Sequence, residues 1–192
     1  MSATRTLHVE SVGAGPPLVL LHGWALHGGV FAPLLPALVA RHRVHVVDLP
    51  GHGHSPPIPG VTLDAVVDAV AGAIAQAGDV APADVLGWSF GGLVAQRWAA
   101  RGDARVGRVV LVCTSPRFVS GDGWTHGIAP QVLAQFADEL RVAYDATLRR
   151  FVTLQMQNAT HARTTLARVR ALLAARPPAD PATLDATLAI LE

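Results

Sequence analysis

A serine between two glycines is the residue of this chain best suited to covalent chemistry. The pentapeptide Gly87-Trp88-Ser89-Phe90-Gly91 follows the apolar pair Val85-Leu86 and precedes a helix-forming stretch. In a G-x-S-x-G sequence between a strand and a helix, the serine occupies a sharp turn that exposes its hydroxyl, and the glycines allow close backbone contact. The free amides of the helix that begins there favour a developing negative charge. We therefore predict that Ser89 is a nucleophile that attacks a carbonyl carbon.

A second short sequence, His22-Gly23-Trp24, follows an earlier apolar run and complements the serine. Sites with this type of turn bind the oxyanion with the amide after the nucleophile and an amide from a loop after an earlier strand. We predict that Phe90 and Trp24 supply these two amides. His22 is also a candidate base, but it precedes the serine, whereas the usual order is serine, acid, histidine. We interpret His22 as a residue that orients its loop, and the turn Asp48–Ser55 as structural.

Alternating strands and helices must position these groups. Four short apolar runs end in turn residues and have the length of buried strands: 18–21, 44–47, 85–86 and 109–112. Helical spacing occupies 62–77, with Thr62 as N-cap and Gly78 after the end, and again 89–101. The pattern predicts an α/β fold, a mostly parallel sheet with helices on both faces, in a core of residues 1–116 that holds strands 1–6.

The chain after Pro116 has a different pattern. Residues 130–192 show no strand signal, and helices are predicted at about 130–141, 143–157, 161–176 and 181–192. Pro130 suits a first helical turn, and Asp180-Pro181 provides an N-cap followed by proline at the first helical position. We expect residues 117–192 to form an all-helical lid on the core.

Composition excludes several classes of function. The net charge is +1, which does not indicate a nucleic-acid partner, and the nine histidines are scattered without metal-ligand spacing. The one cysteine, Cys113, follows an apolar run and is predicted to be buried and inert, which favours a reducing compartment. There is no leader-like sequence and no membrane-spanning apolar stretch, so we expect a cytoplasmic protein without metal or cofactor.

The motifs together resemble one enzyme family. The matching sequences are His22-Gly23-Trp24, Asp48-Leu49-Pro50-Gly51, Gly87-Trp88-Ser89-Phe90-Gly91-Gly92, Thr114-Ser115-Pro116 and Arg150-Phe151-Val152-Thr153-Leu154-Gln155. They look like the pimeloyl-acyl-carrier-protein methyl ester esterases of biotin synthesis, which have the α/β-hydrolase fold. Tryptophan before the serine and the Phe-x-x-Leu-Gln stretch distinguish this family from other α/β hydrolases.

The resemblance implies roles for further residues. Substrate contacts would come from Trp24, Ser89, Phe90 and the segment Phe151, Val152, Thr153, Leu154 and Gln155. An acidic acyl carrier protein that bears the ester would dock on Arg149, Arg150, Arg163, Arg168 and Arg170, in a monomeric enzyme. Residues 141–176 have seven arginines against Asp145 alone, a net +6. Two plainer interpretations stay open: Phe151 and its neighbours as packing within the lid, and the arginines as a solvated helix face.

The family places its catalytic acid and histidine beyond residue 192. We therefore expect a truncated chain that is inactive or weakly active alone, with the 109–112 strand left as an exposed apolar sheet edge. Asp122 and His126 are poor substitutes, because four residues of glycine-rich loop hold them too close together for triad geometry.

Two other functions remain as alternatives at this stage. One is a different lidded α/β hydrolase, such as a general short-chain esterase or a carbon–carbon bond hydrolase. The other is a non-catalytic binding module whose lid docks an acidic partner.

Overall fold

The computed structural model describes residues 6–79, 81–155 and 161–192. Five strands form one sheet in the order β1-β3-β2-β4-β5. All neighbouring strands are parallel except β1, which is antiparallel to β3. The strands are β1 (Val9–Val12), β2 (Pro17–Leu21), β3 (Arg43–Val47), β4 (Ala83–Trp88) and β5 (Val106–Val112). The predicted α/β fold is confirmed, but the described residues hold five strands where six were expected.

The central position of β2 and β4 brings the two predicted site loops together. The strand β2 is buried at all five positions, and Leu21 at its end lies opposite Gly87 of β4. Because the strands are parallel, their carboxyl ends share one edge of the sheet, which is where α/β proteins place their sites. The loop that begins at His22 therefore meets the turn at Ser89.

Helices cover both faces of the sheet. Alternate residues of β2 point to opposite sides, so Val19 and Leu21 pack in one apolar cluster while Leu18 and Leu20 pack in another. The first cluster includes side chains of α2 (Leu63–Gln76) and α3 (Phe90–Ala100). The second is covered by a 3₁₀ turn at Gly28–Phe31 and by α1 (Leu35–Leu38).

The helix boundaries follow from capping. Thr62 caps α2, because its hydroxyl accepts a hydrogen bond from the Ala65 amide at 3.1 Å. Gly78 and Gly102 follow α2 and α3 with positive φ angles, as residues after a helix end often do. None of the helices within residues 6–79, 81–155 and 161–192 is long and apolar enough to cross a bilayer.

Four helices follow the sheet and are called the helical region here. They are α4 (Pro130–Val142), α5 (Tyr144–Gln155), α6 (Ala162–Leu173) and α7 (Pro181–Leu188), and a 3₁₀ turn at Ala189–Leu191 completes the region. The predicted caps are present: Pro130 opens α4, and the Asp180 carboxylate accepts from the Thr183 amide at 2.7 Å. The last two residues of the helix predicted at 143–157 lie outside the described residues.

The edge strand β5 is exposed, as expected. Val110, Leu111 and Val112 have exposed fractions of 47%, 46% and 37%, large values for apolar residues of a sheet. Such an edge offers unpaired backbone groups to another strand.

A buried ion pair joins the helical region to the core. The Asp48 carboxylate has no exposed surface, and Arg176, after α6, donates to its two oxygens at 2.8 and 2.9 Å. The same carboxylate accepts from the amides of Gly28 and His54. These donors hold the pKa of Asp48 below its usual value, although burial opposes them. Asp48 therefore links three segments that are far apart in sequence.

We predict that Arg176→Met lowers the free energy of unfolding by about 3 kcal/mol, because it leaves a buried carboxylate without its cation. Urea unfolding measures this loss. The matched control is Arg168→Met, at an exposed position of α6, which should change stability by less than about 0.5 kcal/mol. Equal effects of the two substitutions would contradict the structural role of the ion pair.

Candidate active site

Ser89 lies in a strained turn between β4 and α3. Its φ of 54° and ψ of −118° fall in a region that non-glycine residues rarely occupy. The turn is fixed from both sides: the Ser89 amide donates to Val112 at 2.9 Å, and the Ser89 carbonyl accepts from the Thr114 hydroxyl at 2.8 Å. These contacts hold the serine at the carboxyl edge of the sheet in a single backbone conformation.

The two glycines of the motif are required by close backbone contact. A Cβ on Gly87 would lie 2.4 Å from the Gly91 carbonyl oxygen, and a Cβ on Gly91 would lie 2.3 Å from that of Leu21. Both distances are well inside van der Waals contact with backbone that cannot move aside. The spacing of glycines around the serine is therefore a packing requirement of the turn.

Two backbone amides are candidates for binding an oxyanion. The Trp24 loop lies against the serine, since a Cβ on Gly23 would be 3.4 Å from the Ser89 Cβ. Within the described part of the chain, neither the Trp24 amide nor the Phe90 amide donates to a protein acceptor. Phe90 is fully buried in the core, so its side chain is not placed to contact a substrate.

His22 orients the Trp24 loop and is not placed as a base. Its ring is fully buried; Nε2 accepts from the Leu49 amide at 2.9 Å, so Nδ1 carries the proton and donates to the Gly23 carbonyl at 2.8 Å. Burial, with the nearby His52 ring, lowers the pKa of His22 to about 3. Both nitrogens are occupied by backbone groups, as a residue that orients its loop requires.

A mostly apolar cavity of about 430 Å³ opens over Ser89. Of the segment 151–155, Phe151, Leu154 and Gln155 line it. Val152 instead lines a smaller pocket on another side of α5, and the Thr153 hydroxyl donates to the Arg149 carbonyl within that helix. The structure thus brings three of the five predicted contact residues to the serine.

Trp24 forms one wall of this cavity. Its indole N–H donates to the Leu184 carbonyl at 3.2 Å and to the Thr187 hydroxyl at 3.1 Å, both in α7. Its ring packs edge-on against Phe136 and Phe151, with centroids 5.6 and 5.4 Å away. Trp24 therefore connects the loop of the candidate oxyanion site to the helical region.

Two cavity residues were missed or misjudged from the sequence. Phe136 of α4 was not singled out, although Leu133, Phe136 and Leu140 have the spacing of one buried helix face. Cys113 was predicted to be buried and inert, and this is wrong: its side chain is exposed and lines the cavity. It directly follows β5, which has a neighbouring strand on one side only among the described residues.

No histidine or carboxylate lines this cavity among residues 6–79, 81–155 and 161–192. Asp122 and His126 are both exposed, and the His126 ring packs edge-on against Trp124 at 5.1 Å. The structure therefore gives no support to this pair as a substitute for an acid and a base. Within the same ranges, no three His, Cys, Asp or Glu side chains gather as a metal ion would require.

The five arginines predicted to dock a partner are all on the surface of α5 and α6: Arg149, Arg150, Arg163, Arg168 and Arg170. Arg150 pairs with Glu139 of α4, and Arg170 donates to the Thr153 hydroxyl at 3.2 Å. Arg149 and Arg170 also border the pocket beside Val152. In contrast, Arg176 belongs to the buried pair with Asp48 and adds nothing to this surface.

A serine on a strained strand-to-helix turn, at the carboxyl edge of a mostly parallel sheet, is the arrangement of α/β hydrolases. The sequence profile of the alpha/beta hydrolase fold matches residues 16–185, and the chain belongs to this family.

Similarity to individual proteins is more specific than the match to the family. A protein of Chromobacterium violaceum named pimeloyl-[acyl-carrier protein] methyl ester esterase is 49% identical over 164 residues, covering 85% of this chain and 63% of the relative. One of the same name from Xylella fastidiosa is 43% identical over 187 residues, covering 96% and 70%. The chain thus spans somewhat less than two thirds of the first relative's length. An esterase from Exiguobacterium antarcticum has the same fold, with a TM-score of 0.84 at 21% identity, over 97% of this chain and 69% of that one.

The buried histidines predict a loss of stability in mild acid. Burial lowers the pKa of His22 to about 3 and of His52 to about 4. Between pH 6.5 and these values the unfolded chain binds more protons than the folded one, so stability falls as the pH falls. From pH 7 to pH 5 we expect a loss of about 2 kcal/mol per histidine, measured by urea unfolding at both pH values.

The control for this pH effect is His52→Asn. The His52 Nδ1 donates to the Pro50 carbonyl at 2.8 Å, a bond that an asparagine amide can replace without titrating. Between pH 7 and pH 5 the free energy of unfolding of this variant should fall by about 2 kcal/mol, half of the fall expected when His22 and His52 both titrate. An unchanged pH dependence would show that His52 does not carry the effect.

Proposed function

We propose that the chain is the serine-bearing part of a carboxylesterase that hydrolyses the methyl ester of a pimeloyl chain carried on acyl carrier protein. The observation that carries the proposal is the strained Ser89 turn at the base of an apolar cavity, with two unpartnered amides beside it. The names of relatives at 43% and 49% identity point to the particular ester.

The chemistry begins with attack of the Ser89 hydroxyl on the ester carbonyl carbon. A bond forms between Oγ and that carbon, the proton passes to a base, and the oxyanion is held by the Trp24 and Phe90 amides. Collapse of the tetrahedral intermediate breaks the bond to the methoxy group, which leaves as methanol with the proton. Water then cleaves the acyl-serine and releases the free acid.

The cavity is suited to the carbon chain of the substrate. Trp24, Phe136 and Phe151 form an aromatic wall next to Ser89, and Leu154 extends it. Such a wall binds methylene groups by burial of apolar area, worth about 0.8 kcal/mol for each methylene. Gln155 is the one uncharged polar side chain of α5 on the cavity, where it can orient the carbonyl-bearing end of the chain.

The base and the acid must come from outside the described residues, because none of these places a histidine or carboxylate on the cavity. Without them Ser89 is a weak nucleophile, and catalysis rests on the oxyanion site and on binding. We therefore propose that the 192 residues alone hydrolyse the ester slowly.

Positive charge on α5 and α6 suits an acidic carrier protein. Arg149, Arg163 and Arg168 have no carboxylate partner among the described residues, so their guanidinium groups remain open to an incoming acidic surface. Opposite charges of this kind speed and orient encounter. We propose that the carrier protein docks on this face of α5 and α6.

The proposal includes a cytoplasmic, monomeric enzyme without metal or cofactor. Serine ester hydrolysis needs none, because the protein groups supply the nucleophile and the charge stabilisation. An exposed free thiol at Cys113 suits a reducing compartment.

Methanol release from methyl-pimeloyl acyl carrier protein tests the function. The chain should release methanol measurably, at a rate about 10³-fold or more below that of the Xylella fastidiosa relative, because a base is missing. Ser89→Ala should abolish this release. If the wild-type chain and Ser89→Ala give the same rate while both bind the carrier protein, the chain is a binding module instead.

Charge reversal at Arg163 tests the docking face. Arg163→Glu should lower kcat/KM for the carrier-bound ester by about tenfold, because it repels the carrier, and should leave hydrolysis of free dimethyl pimelate unchanged. Arg163 is preferred to Arg150, since a glutamate at 150 would also repel Glu139. The matched control is Arg41→Glu. Arg41 is exposed and lies just before β3, at the edge of the sheet opposite the one that holds Ser89. Equal losses on both esters would contradict the docking role.

A further inference from the structure

A second set of serine, histidine and aspartate side chains lies away from the Ser89 cavity. Ser11 of β1 and His45 of β3 are directly opposite in the antiparallel pair, so their side chains share one face of the sheet. The Ser11 hydroxyl lies 2.8 Å from Nδ1 of His45. On the other side of the ring, Nε2 contacts the carboxylate of Asp79, which follows α2.

The order of contacts fixes where the protons lie. Nε2 is in contact with a carboxylate, which would repel a lone pair, so the ring proton lies on Nε2, although this contact lacks hydrogen-bond geometry. Nδ1 is then left with a lone pair, and the Ser11 hydroxyl donates to it. Burial lowers the pKa of His45, although Asp79 opposes the shift, which keeps the ring neutral at pH 7. A hydroxyl that donates to an imidazole with a carboxylate on the far side of the ring is similar to the arrangement of an activated serine.

The surroundings keep the three groups in place while leaving the hydroxyl accessible. The His45 ring is completely buried, and the Asp79 side chain is 13% exposed. Arg43 donates to Asp79 at 3.3 Å and to the Ala77 carbonyl at 3.2 Å, which fixes the carboxylate beside the ring. Ser11 is exposed on the edge strand of the sheet, so a small reagent can reach it.

We propose that Ser11 is a second acylation site of this protein, with His45 as its base and Asp79 as the residue that positions the base. The substrate class is a small activated ester, because Ser11 lies on an exposed edge strand and lines neither of the two cavities described above. The Ser11 oxygen forms a bond to the acyl carbon, its proton moves to Nδ1 of His45, and the bond to the leaving phenolate breaks. The phenolate takes up the proton, and the acyl group stays on Ser11.

This site is independent of the esterase proposal. Ser11 lies on β1, at the opposite end of the strand order from β5, and it shares no described contact with Ser89. Its acylation is therefore measured in Ser89→Ala protein, where the Ser89 hydroxyl is absent. Failure at Ser11 leaves the Ser89 proposal unaffected, and failure at Ser89 leaves this one unaffected.

The experiment treats Ser89→Ala protein with p-nitrophenyl acetate and locates acetyl groups by mass spectrometry of peptides, with fragmentation to separate Ser11 from His8. The internal reference is Ser120, whose hydroxyl donates to the Ile128 carbonyl at 3.2 Å rather than to an imidazole. Ser11 should acylate at least about tenfold faster than Ser120, a threshold set below the gain of about 10²–10⁴-fold that a positioned base typically gives. Equal rates at the two serines would overturn the proposal and leave the cluster as a structural contact.

A second variant tests the positioning role of Asp79. Asp79→Asn, in the Ser89→Ala background, should reduce the Ser11 rate to near that of Ser120, because the amide no longer holds the proton on Nε2. A thermal melt checks that the variant is folded. If acylation of Ser11 were fast but unaffected by Asp79→Asn in folded protein, the role of Asp79 would be wrong. The comparison of Ser11 with Ser120 in Ser89→Ala protein with Asp79 intact decides the acylation site in either case.

Discussion

The left-handed backbone at Ser89 is the constraint on which the candidate site depends. A non-glycine residue in such a conformation costs on the order of 1–3 kcal/mol, and it persists only when its surroundings leave no alternative. Here the amide is held by Val112 of β5, and the carbonyl by the Thr114 hydroxyl and by two amides of α3. Gly87 and Gly91 allow the neighbouring backbone to approach closely enough for these bonds to form. The strain places the hydroxyl beyond the end of β4, facing the cavity.

The loop opposite the serine is also held by several separate hydrogen bonds. His22 fixes its start through Leu49, and Asp48 fixes its end through the Gly28 amide. Trp24, in the middle, is bonded to α7. Because Arg176 connects the same Asp48 to the segment before α7, the loop, the core and the helical region are coupled through one buried carboxylate. A shift of α7 would therefore change the position of Trp24, whose backbone amide belongs to the candidate oxyanion site.

Much of this could be predicted from the sequence, because the signals are local. The apolar runs, the caps at Thr62 and Asp180, and the glycines around Ser89 each act over a few residues, and the structure places these elements as expected. What was missed depends on contacts between distant segments. The strand β1 has a weak pattern, since three of its four residues are exposed, and only pairing with β3 defines it. Arg176 resembled one more surface charge, because its partner Asp48 is 128 residues away in the sequence. Cys113 was predicted to be buried because it follows an apolar run, although that run was itself expected to be an exposed sheet edge.

The central claim is that Ser89 carries the reactive hydroxyl of the cavity. The most direct measurement is mass spectrometry of the protein after reaction with an alkyl fluorophosphonate, whose phosphorus bonds to an activated serine oxygen as fluoride leaves. The account predicts an adduct on Ser89 in the peptide 44–97 that is slowed by dimethyl pimelate and absent from Ser89→Ala. Labelling of Ser55 in the same peptide at the rate seen for Ser89, or no labelling of Ser89 at all, would contradict it.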